Sequence, residues 1–306
     1  MSMNLSLVIV SWNTAELLNQ CLTSIFASPP EGSFEVIVVD NASTDTSVQM
    51  VRERFSQVKV IDNQENLGFA GGNNQAIRQS QGRYVLLLNP DTAVKPEAFN
   101  HLIDFMDKNP NAGAVGPLTL NPDGTLQTSC YPVPTLFREF WRLCHLDAIY
   151  AYGIYCMENW DKSKVRKVDA LLGACLLLRK TALDQVGLLD ETYFIYSEEI
   201  DLCYRLQKAG WQLYWIPQAR IVHYGGQSTQ QVVLEMFMQL YQGKLIFIRK
   251  HYGWFAGKIY KLILLIVALL RLLVSPLAWL ERPKKRRRHL KLASQYWKLI
   301  RVLPNL

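Results

Sequence analysis

Along the first third of the chain the hydrophobic pattern switches repeatedly between unbroken apolar runs and helical spacing. LSLVIVSW (5–12), FEVIVVDNAS (34–43), VKVIDN (58–63) and RYVLLLNPD (83–91) are short runs with almost no polar face, which predicts strands buried on both sides. Between them, AELLNQCLTSIFAS (15–28), TDTSVQMVRERF (44–55) and GFAGGNNQAIRQSQ (68–81) repeat their apolar residues at helical intervals. Ser43 or Thr44 is the predicted cap of the second helix, and the third opens from a glycine-rich loop. Short strands alternating with helices predict a mostly parallel sheet, covered on both faces, with ligands outside the carboxyl ends of the strands.

Farther on the pattern loosens. PEAFNHLIDFMDKNP (96–110) predicts a helix, AGAVGPLTLNPDGTLQ (112–127) a strand and turn, and KVDALLGACLLLRK (167–180) one or two strands. Residues 130–160 are rich in aromatics without a clean period, and are expected to be a mobile, acceptor-facing region. DETYFIYSEEIDLCYRLQKAGW (190–211) puts three carboxylates at the start of a helix, and QLYWIPQARIVHYGG (212–226) predicts a closing strand.

The tail is different again. LILLIVALLRLLVSPLAWL (262–280) is almost long enough to span a bilayer, but Arg271 sits mid-run and Pro276 would kink a helix. A central arginine costs roughly 2.5–3.5 kcal/mol on insertion scales. The run is followed by ERPKKRRRHLK and by the amphipathic KLASQYWKLIRVL, so these 63 residues are expected to lie in a membrane interface. Two regions are therefore expected, 1–243 as the α/β domain and 244–306 as a helical membrane-association segment.

Charge sharpens this division. The overall +7 conceals 18 Lys/Arg against 25 Asp/Glu in residues 1–243, and 15 Lys/Arg against the single Glu281 in residues 244–306. An acidic body with a basic, apolar tail argues against a nucleic-acid partner and for an anionic membrane surface. The six cysteines show no CxxC pair and no zinc-like spacing, as expected of thiols in a reducing compartment. No basic stretch precedes the first apolar run, so a cytosolic side is expected, at the inner face of the plasma membrane.

Three of the predicted strands end in side chains able to grip a ligand: Asn13, then Asp40 with Asn41, then Asn89 with Asp91. Asn-Pro-Asp alone is good turn chemistry, and carboxylates opening a helix also complement its dipole. Asp201 is expected in that dipole role, paired with Arg205 one turn on. The glycine-rich NLGFAGGNN could bring backbone close to a phosphate, although it is neither a Walker loop nor a GxGxxG turn after the first strand.

Taken in order, SLVIVSWNTAELLNQCLTSI, VIVVDNASTDTS, ENLGFAGGNNQAI, RYVLLLNPDT, GACLLLRK and DETYFIYSEEIDLCYRLQKAGW resemble a family 2 glycosyltransferase of the GT-A fold, within its rhamnosyltransferase-like branch. The resemblance implies a Rossmann-like nucleotide-diphospho-sugar transferase and an inverting reaction. It places Asp40 at the donor's pyrimidine base, with Ser11 and Asn13 near the same nucleoside and Asn41 among the donor-binding residues. Asn66, Gly68, Asn73 and Asn74 would line the nucleotide pocket. Asn89 and Asp91 occupy the place of the family's DxD motif, with Asn in place of the first carboxylate. Asp91 would then be the main protein ligand to Mg²⁺ or Mn²⁺ on the diphosphate, and His223 a second group within reach of it. The family's general base is the second residue of a Glu-Asp pair. Here that place is Glu199, one methylene longer, with Glu198 beside it as the alternative. The implied donor is dTDP-rhamnose and the implied acceptor a lipid-linked saccharide. A UDP-hexose or UDP-galactofuranose donor, or a non-catalytic nucleotide-sugar-binding assembly protein, are the alternatives.

Overall fold

The computed structural model describes residues 3–226, 229–276 and 283–306. The end of the apolar run (277–280), Glu281 and the first basic residue, Arg282, lie outside the described residues. The chain divides into two units, one of residues 1–133 and 155–231, the other of residues 134–154 and 232–306.

The first unit begins β1 (Leu5–Ser11), α1 (Ala15–Ala27), β2 (Phe34–Asp40), α2 (Ser47–Arg54), β3 (Lys59–Asp62), α3 (Gly68–Gln79) and β4 (Tyr84–Leu88), the alternation its periodicity predicts. It continues with β5 (Thr92–Val94), α4 (Ala98–Lys108), β6 (Ala112–Leu120) and β7 (Cys130–Tyr131). After 134–154, α5 (Leu136–Leu143) included, come β8 (Arg166–Lys167), β9 (Ala170–Leu171), β10 (Cys175–Arg179), α6 (Lys180–Val186), α7 (Glu198–Lys208) and β11 (Gln212–His223). The main sheet runs β3-β2-β1-β4-β10-β6-β11-β5, with β8 also on β11. β3, β2, β1 and β4 are mutually parallel, β10 is antiparallel to β4 and β6, and β11 is parallel to β6.

Both faces are covered, as the unbroken apolar runs require. Leu5, Leu7 and Ile9 of β1 pack with Leu18, Leu22 and Ile25 of α1, while Val8 packs on the other face with Ala76 and Ile77 of α3 and Leu202 of α7. Because β10 runs backwards, its first residue Cys175 is opposite Leu88 at the carboxyl end of β4. The Asn89 N–H donates to the Ala174 carbonyl at 2.9 Å, which brings the loop before β10 to the same edge.

Two local expectations are corrected. α2 starts at Ser47, and Asp45 rather than Ser43 or Thr44 accepts from its first residue, at 3.0 Å from the N–H and 2.5 Å from the hydroxyl. The glycine-rich stretch is not a loop before a helix; it forms the first turns of α3 itself.

The second unit contains α5, then α8 (Val233–Tyr252), α9 (Trp254–Val274) and α10 (Pro283–Val302). It starts at residue 232 rather than 244 and takes in 134–154, whose aromatics pack on one another: Phe137 and Tyr152 meet edge to face, their centroids 5.4 Å apart. Inside this unit Glu139 is buried and accepts from Lys244 Nζ at 2.5 Å. Arg271 donates to the Leu143 carbonyl at 2.9 Å and meets His145 Nε2 at 2.8 Å, so its charge is satisfied within the unit.

Gly68 has φ +72°, and a β-carbon there would run into the Phe194 carbonyl, which also accepts the Phe69 N–H at 2.7 Å. Gly68→Ala is expected to destabilise by about 2 kcal/mol or more, through both strain and collision. Chemical denaturation checks this; an unchanged midpoint would show that the α3 junction is not constrained.

Candidate active site

Four sequence segments converge on the carboxyl edge of the sheet. At the ends of β1 and β2, side chains knit two loops together. Asn13, at φ 52°, donates its N–H to Ser43 Oγ at 2.9 Å and accepts from the Thr44 N–H at 2.8 Å. Ser11 Oγ lies 3.0 Å from Thr14 Oγ1. Asn41 Nδ2 donates to the Gly68 carbonyl at 2.9 Å and Asn41 Oδ1 accepts from Asn63 Nδ2 at 3.1 Å. Asp40 is used only by half: Oδ2 accepts from the Ser43 N–H at 2.8 Å, while Oδ1 is buried without a partner among the described residues. Burial raises this carboxyl above its ordinary range, Ser43 opposes the rise, and the negative charges of Asp62 and Asp45 add to it. An open cleft of ≈ 350 Å³ beside these ends is lined by Asn13, Thr14, Glu16 and Asp45, among others.

The asparagines of α3 turn inward. Asn66 Oδ1 accepts from the Gly68 N–H at 2.9 Å, and Asn73 Nδ2 donates to the Phe69 carbonyl at 2.8 Å. Asn74 donates to the Leu189 carbonyl and to Glu191 Oε1, both at 2.8 Å, and accepts from the Leu189 N–H at 3.1 Å. Its amide is therefore committed to holding the 189–191 turn. Asn73 thereby ties into the first turn of α3, and Asn74 into the segment that leads to α7.

Asp91 follows β4 in the turn to β5, and the pairing of Thr92 with His223 carries the end of β11 to it. Both side chains are buried, with His223 Nε2 3.3 Å from Asp91 Oδ1 and 3.4 Å from Asn89 Nδ2. Gln127 Nε2 donates to Asn121 Oδ1 at 2.9 Å and to the His223 carbonyl at 3.2 Å. Its Oε1 is thus the atom 2.6 Å from His223 Nδ1, which assigns that ring proton to Nδ1. Nε2 then turns a lone pair toward a carboxylate oxygen, and two electron-rich atoms so close call for a proton or a cation between them. A histidine whose far nitrogen is held by an amide carbonyl, beside one carboxylate, is a donor set that fits Mn²⁺ better than Mg²⁺, which takes oxygen ligands. Among the described residues no cluster of three or more His, Cys, Asp or Glu is arranged to hold a metal. These two side chains are what the protein would contribute.

Glu198 and Glu199 open α7 after two residues in left-handed conformation, Tyr196 (φ 70°) and Ser197 (φ 75°). Such strain in non-glycine residues costs of order 1–3 kcal/mol each and collects at functional sites. Both carboxylates are buried, and Oε2 of each has no hydrogen-bond partner among the described residues. Burial raises Glu198 well above the usual range, and the neighbouring Glu199 adds to it. Burial likewise lifts Glu199 from 4.5 to about 7, against backbone N–H groups at Ser197, Glu199 and Ile200 that pull it down. The N–H groups of the helix start, which favour an anion there, do not offset the rise. Burial wins over the dipole. Asp201 is instead paired, with Arg205 Nε at 2.7 Å as its spacing predicts, and Arg205 also takes the Val186 and Leu188 carbonyls. A β-carbon on Gly173, beside the start of β10, would sit 3.6 Å from Glu199 Cβ, so the pair adjoins the same edge.

Sequence reasoning missed Gln127, the Tyr196–Ser197 kink and the Phe194–Gly68 contact. Gln127 lies 96 residues from His223 in a turn that carries no motif. A folded Glu with a raised pKa is stabilised by protonation, so stability falls as pH climbs from its ordinary value through its folded one. Glu198→Gln is expected to flatten this fall and to raise the melting temperature at pH 8 by about 2 °C or more. A thermal melt series from pH 5 to pH 8 checks it; an unchanged slope would mean Glu198 is not ionised at a cost.

The family model for glycosyl transferase family 2 matches residues 6–153, and that for glycosyl transferase family group 2 matches residues 84–284. The chain is 32% identical over 270 residues to the N-acetylglucosaminyl-diphospho-decaprenol L-rhamnosyltransferase of Mycobacterium tuberculosis, covering 82% of this chain and 86% of that protein. It is 25% identical over 246 residues to the rhamnosyltransferase WbbL of Escherichia coli, covering 76% of this chain and 87% of that one. The mannosyltransferase PcManGT from Pyrobaculum calidifontis, solved with GDP-Man and Mn²⁺, superposes with a TM-score of 0.56 over 98% of this chain and 86% of that chain, at 17% identity. The superposition supports a GT-A-like α/β fold.

Proposed function

The chain belongs to glycosyltransferase family 2, and on that premise we propose that it transfers rhamnose from dTDP-rhamnose to a lipid-linked saccharide, with inversion, at the cytoplasmic face of the membrane. The rhamnosyl donor and lipid-linked acceptor are suggested by the names of the mycobacterial and E. coli relatives. The observation that carries the chemistry is Glu199. It is a buried carboxylate with one oxygen free, at a strained helix start, lifted to about 7.

Each step then has a group of this chain to perform it. The half-used Asp40 accepts a hydrogen bond from the imide N–H of the donor's thymine, in the space beside Asn13 and Ser11. The diphosphate lies at Asp91 and His223, with Gln127 holding the imidazole in its tautomer. A divalent cation held by these two side chains would neutralise the charge that gathers on the departing diphosphate. Glu199 takes the proton of the acceptor hydroxyl as its oxygen bonds to the anomeric carbon and the bond to the diphosphate breaks on the opposite side. A base near neutrality suits this work, since it is largely ionised at working pH yet still basic. Glu198, raised well above the usual carboxylate range by burial and by the charge of Glu199, holds a proton beside that base rather than a second negative charge.

With labelled dTDP-rhamnose and a polyprenyl-diphospho-N-acetylglucosamine acceptor, kcat is expected to rise with pH through about 7 as Glu199 ionises. Glu199→Gln is expected to lower kcat by ~10²–10⁴-fold with little change in donor KM. Transfer that persists at the wild-type rate in Glu199→Gln removes Glu199 as the base.

A further inference from the structure

After Lys261, α9 is apolar on every side but for Arg271, yet only half of that stretch is packed. Tyr260, Leu264, Val267 and Ala268 are buried within the second unit. On the other side Leu262, Ile266, Leu269, Leu270, Leu273 and Val274 are all about half exposed or more, from 48% to 77%, with no polar residue among them. A continuous aliphatic stripe of this kind on a water-facing helix marks a docking surface. Arg271, the one charge in the run, points inward to Leu143 and His145 and leaves the stripe neutral.

The surroundings of the stripe identify its occupant. At the start of α9, Trp254 and Phe255 are 65% and 71% exposed, and Lys258 Nζ lies 4.9 Å from the centroid of the Trp254 ring. Arg249, Lys258 and Lys261 line a small pocket of ≈ 60 Å³ against that same Trp. On α10 the exposed Trp297 is likewise covered by Arg301, at 5.0 Å. Exposed tryptophans paired with cations, flanking an aliphatic stripe, match a lipid interface in which rings sit at headgroup level and cations meet phosphates. A second copy of the chain fits poorly, because residues 244–306 carry 15 Lys/Arg against one acidic residue and would repel their like. Among the described residues no helix is long and apolar enough to cross a membrane.

We propose that the outer face of α9 is a monotopic membrane-docking surface. The six aliphatic residues from Leu262 to Val274 enter the acyl boundary of an anionic leaflet, and Arg249, Lys258 and Lys261 engage its phosphates. The inference deepens the membrane placement of the proposed function, and names the surface responsible. It also separates the two roles of the apolar run: one side builds the helical unit, the other meets lipid.

The test is flotation of the full-length chain with vesicles of equal parts phosphatidylglycerol and phosphatidylcholine, and with phosphatidylcholine alone. The wild type is expected to float with the anionic vesicles and to be released by high salt. Ile266→Gln/Leu269→Gln/Leu273→Gln, three exposed positions, is expected to lower partitioning about tenfold or more. Lys258→Gln/Lys261→Gln is expected to lower it about thirtyfold on anionic vesicles only, at about 1 kcal/mol per cation. Wild-type flotation that is absent, or unaffected by either variant, overturns the proposal, as does conversion of a dimer to a monomer by the aliphatic variant with flotation unchanged. Thermal stabilisation by dTDP, followed in parallel, reports the first unit. Lost flotation with intact dTDP binding and sugar transfer isolates the docking face, whereas intact flotation without transfer counts against the proposed reaction alone.

Discussion

A buried carboxylate oxygen without a hydrogen bond is expensive for a protein to hold, and this chain keeps several at one edge of its sheet. Asp40 Oδ1, Glu198 Oε2 and Glu199 Oε2 are shut away from solvent with no hydrogen-bond partner among the described residues. Asp91 faces the lone pair of His223 at 3.3 Å. Folding alone would select against such an arrangement. The proposed reaction would bring partners to it: an imide N–H for Asp40, a hydroxyl proton for Glu199 and a divalent cation beside Asp91 and His223.

The rest of the first unit keeps these groups from relaxing. The parallel strands β1, β2 and β4 end together, and antiparallel β10 returns the Gly173–Ala174 loop to the same place. The start of α3 is pinned to the loop before α7 through the Phe69 N–H and Phe194 carbonyl, and Asn74 fixes the 189–191 turn. The left-handed Tyr196 and Ser197 and the Glu198–Glu199 pair follow closely after these anchored residues. Stability forgone at the pair is offset by packing on both faces of the sheet.

How much of this was legible in the sequence follows from the range of each interaction. β1 to β4 and their helices were readable because apolar runs and helical spacing are local patterns. Asp40 and Asp91 could be singled out because Asp40 ends a strand and Asp91 follows one, and strand ends share an edge in a parallel sheet, whereas His223 was picked out by the resemblance alone. The Asp201–Arg205 pair was readable from one turn of helix. What stayed hidden depends on distant partners. Gln127 and His223 meet across 96 residues, and Asn74 reaches Leu189 across 115. Residues 134–154 join α8 to α10 through pairs such as Glu139 with Lys244, which no period announces. Arg271 looked like a charge set against a bilayer because its partners in α5 and the turn beyond lay outside the run.

Asp91 and His223 together are the proposed diphosphate end of the site. Titration calorimetry of dTDP into the full-length chain, with Mn²⁺ and then with chelator, tests it most directly. The account predicts binding with Mn²⁺ that collapses under chelation, is abolished in Asp91→Ala and is weakened in His223→Ala. Equal dTDP affinity in Asp91→Ala and the wild type, with Mn²⁺ present, would contradict it.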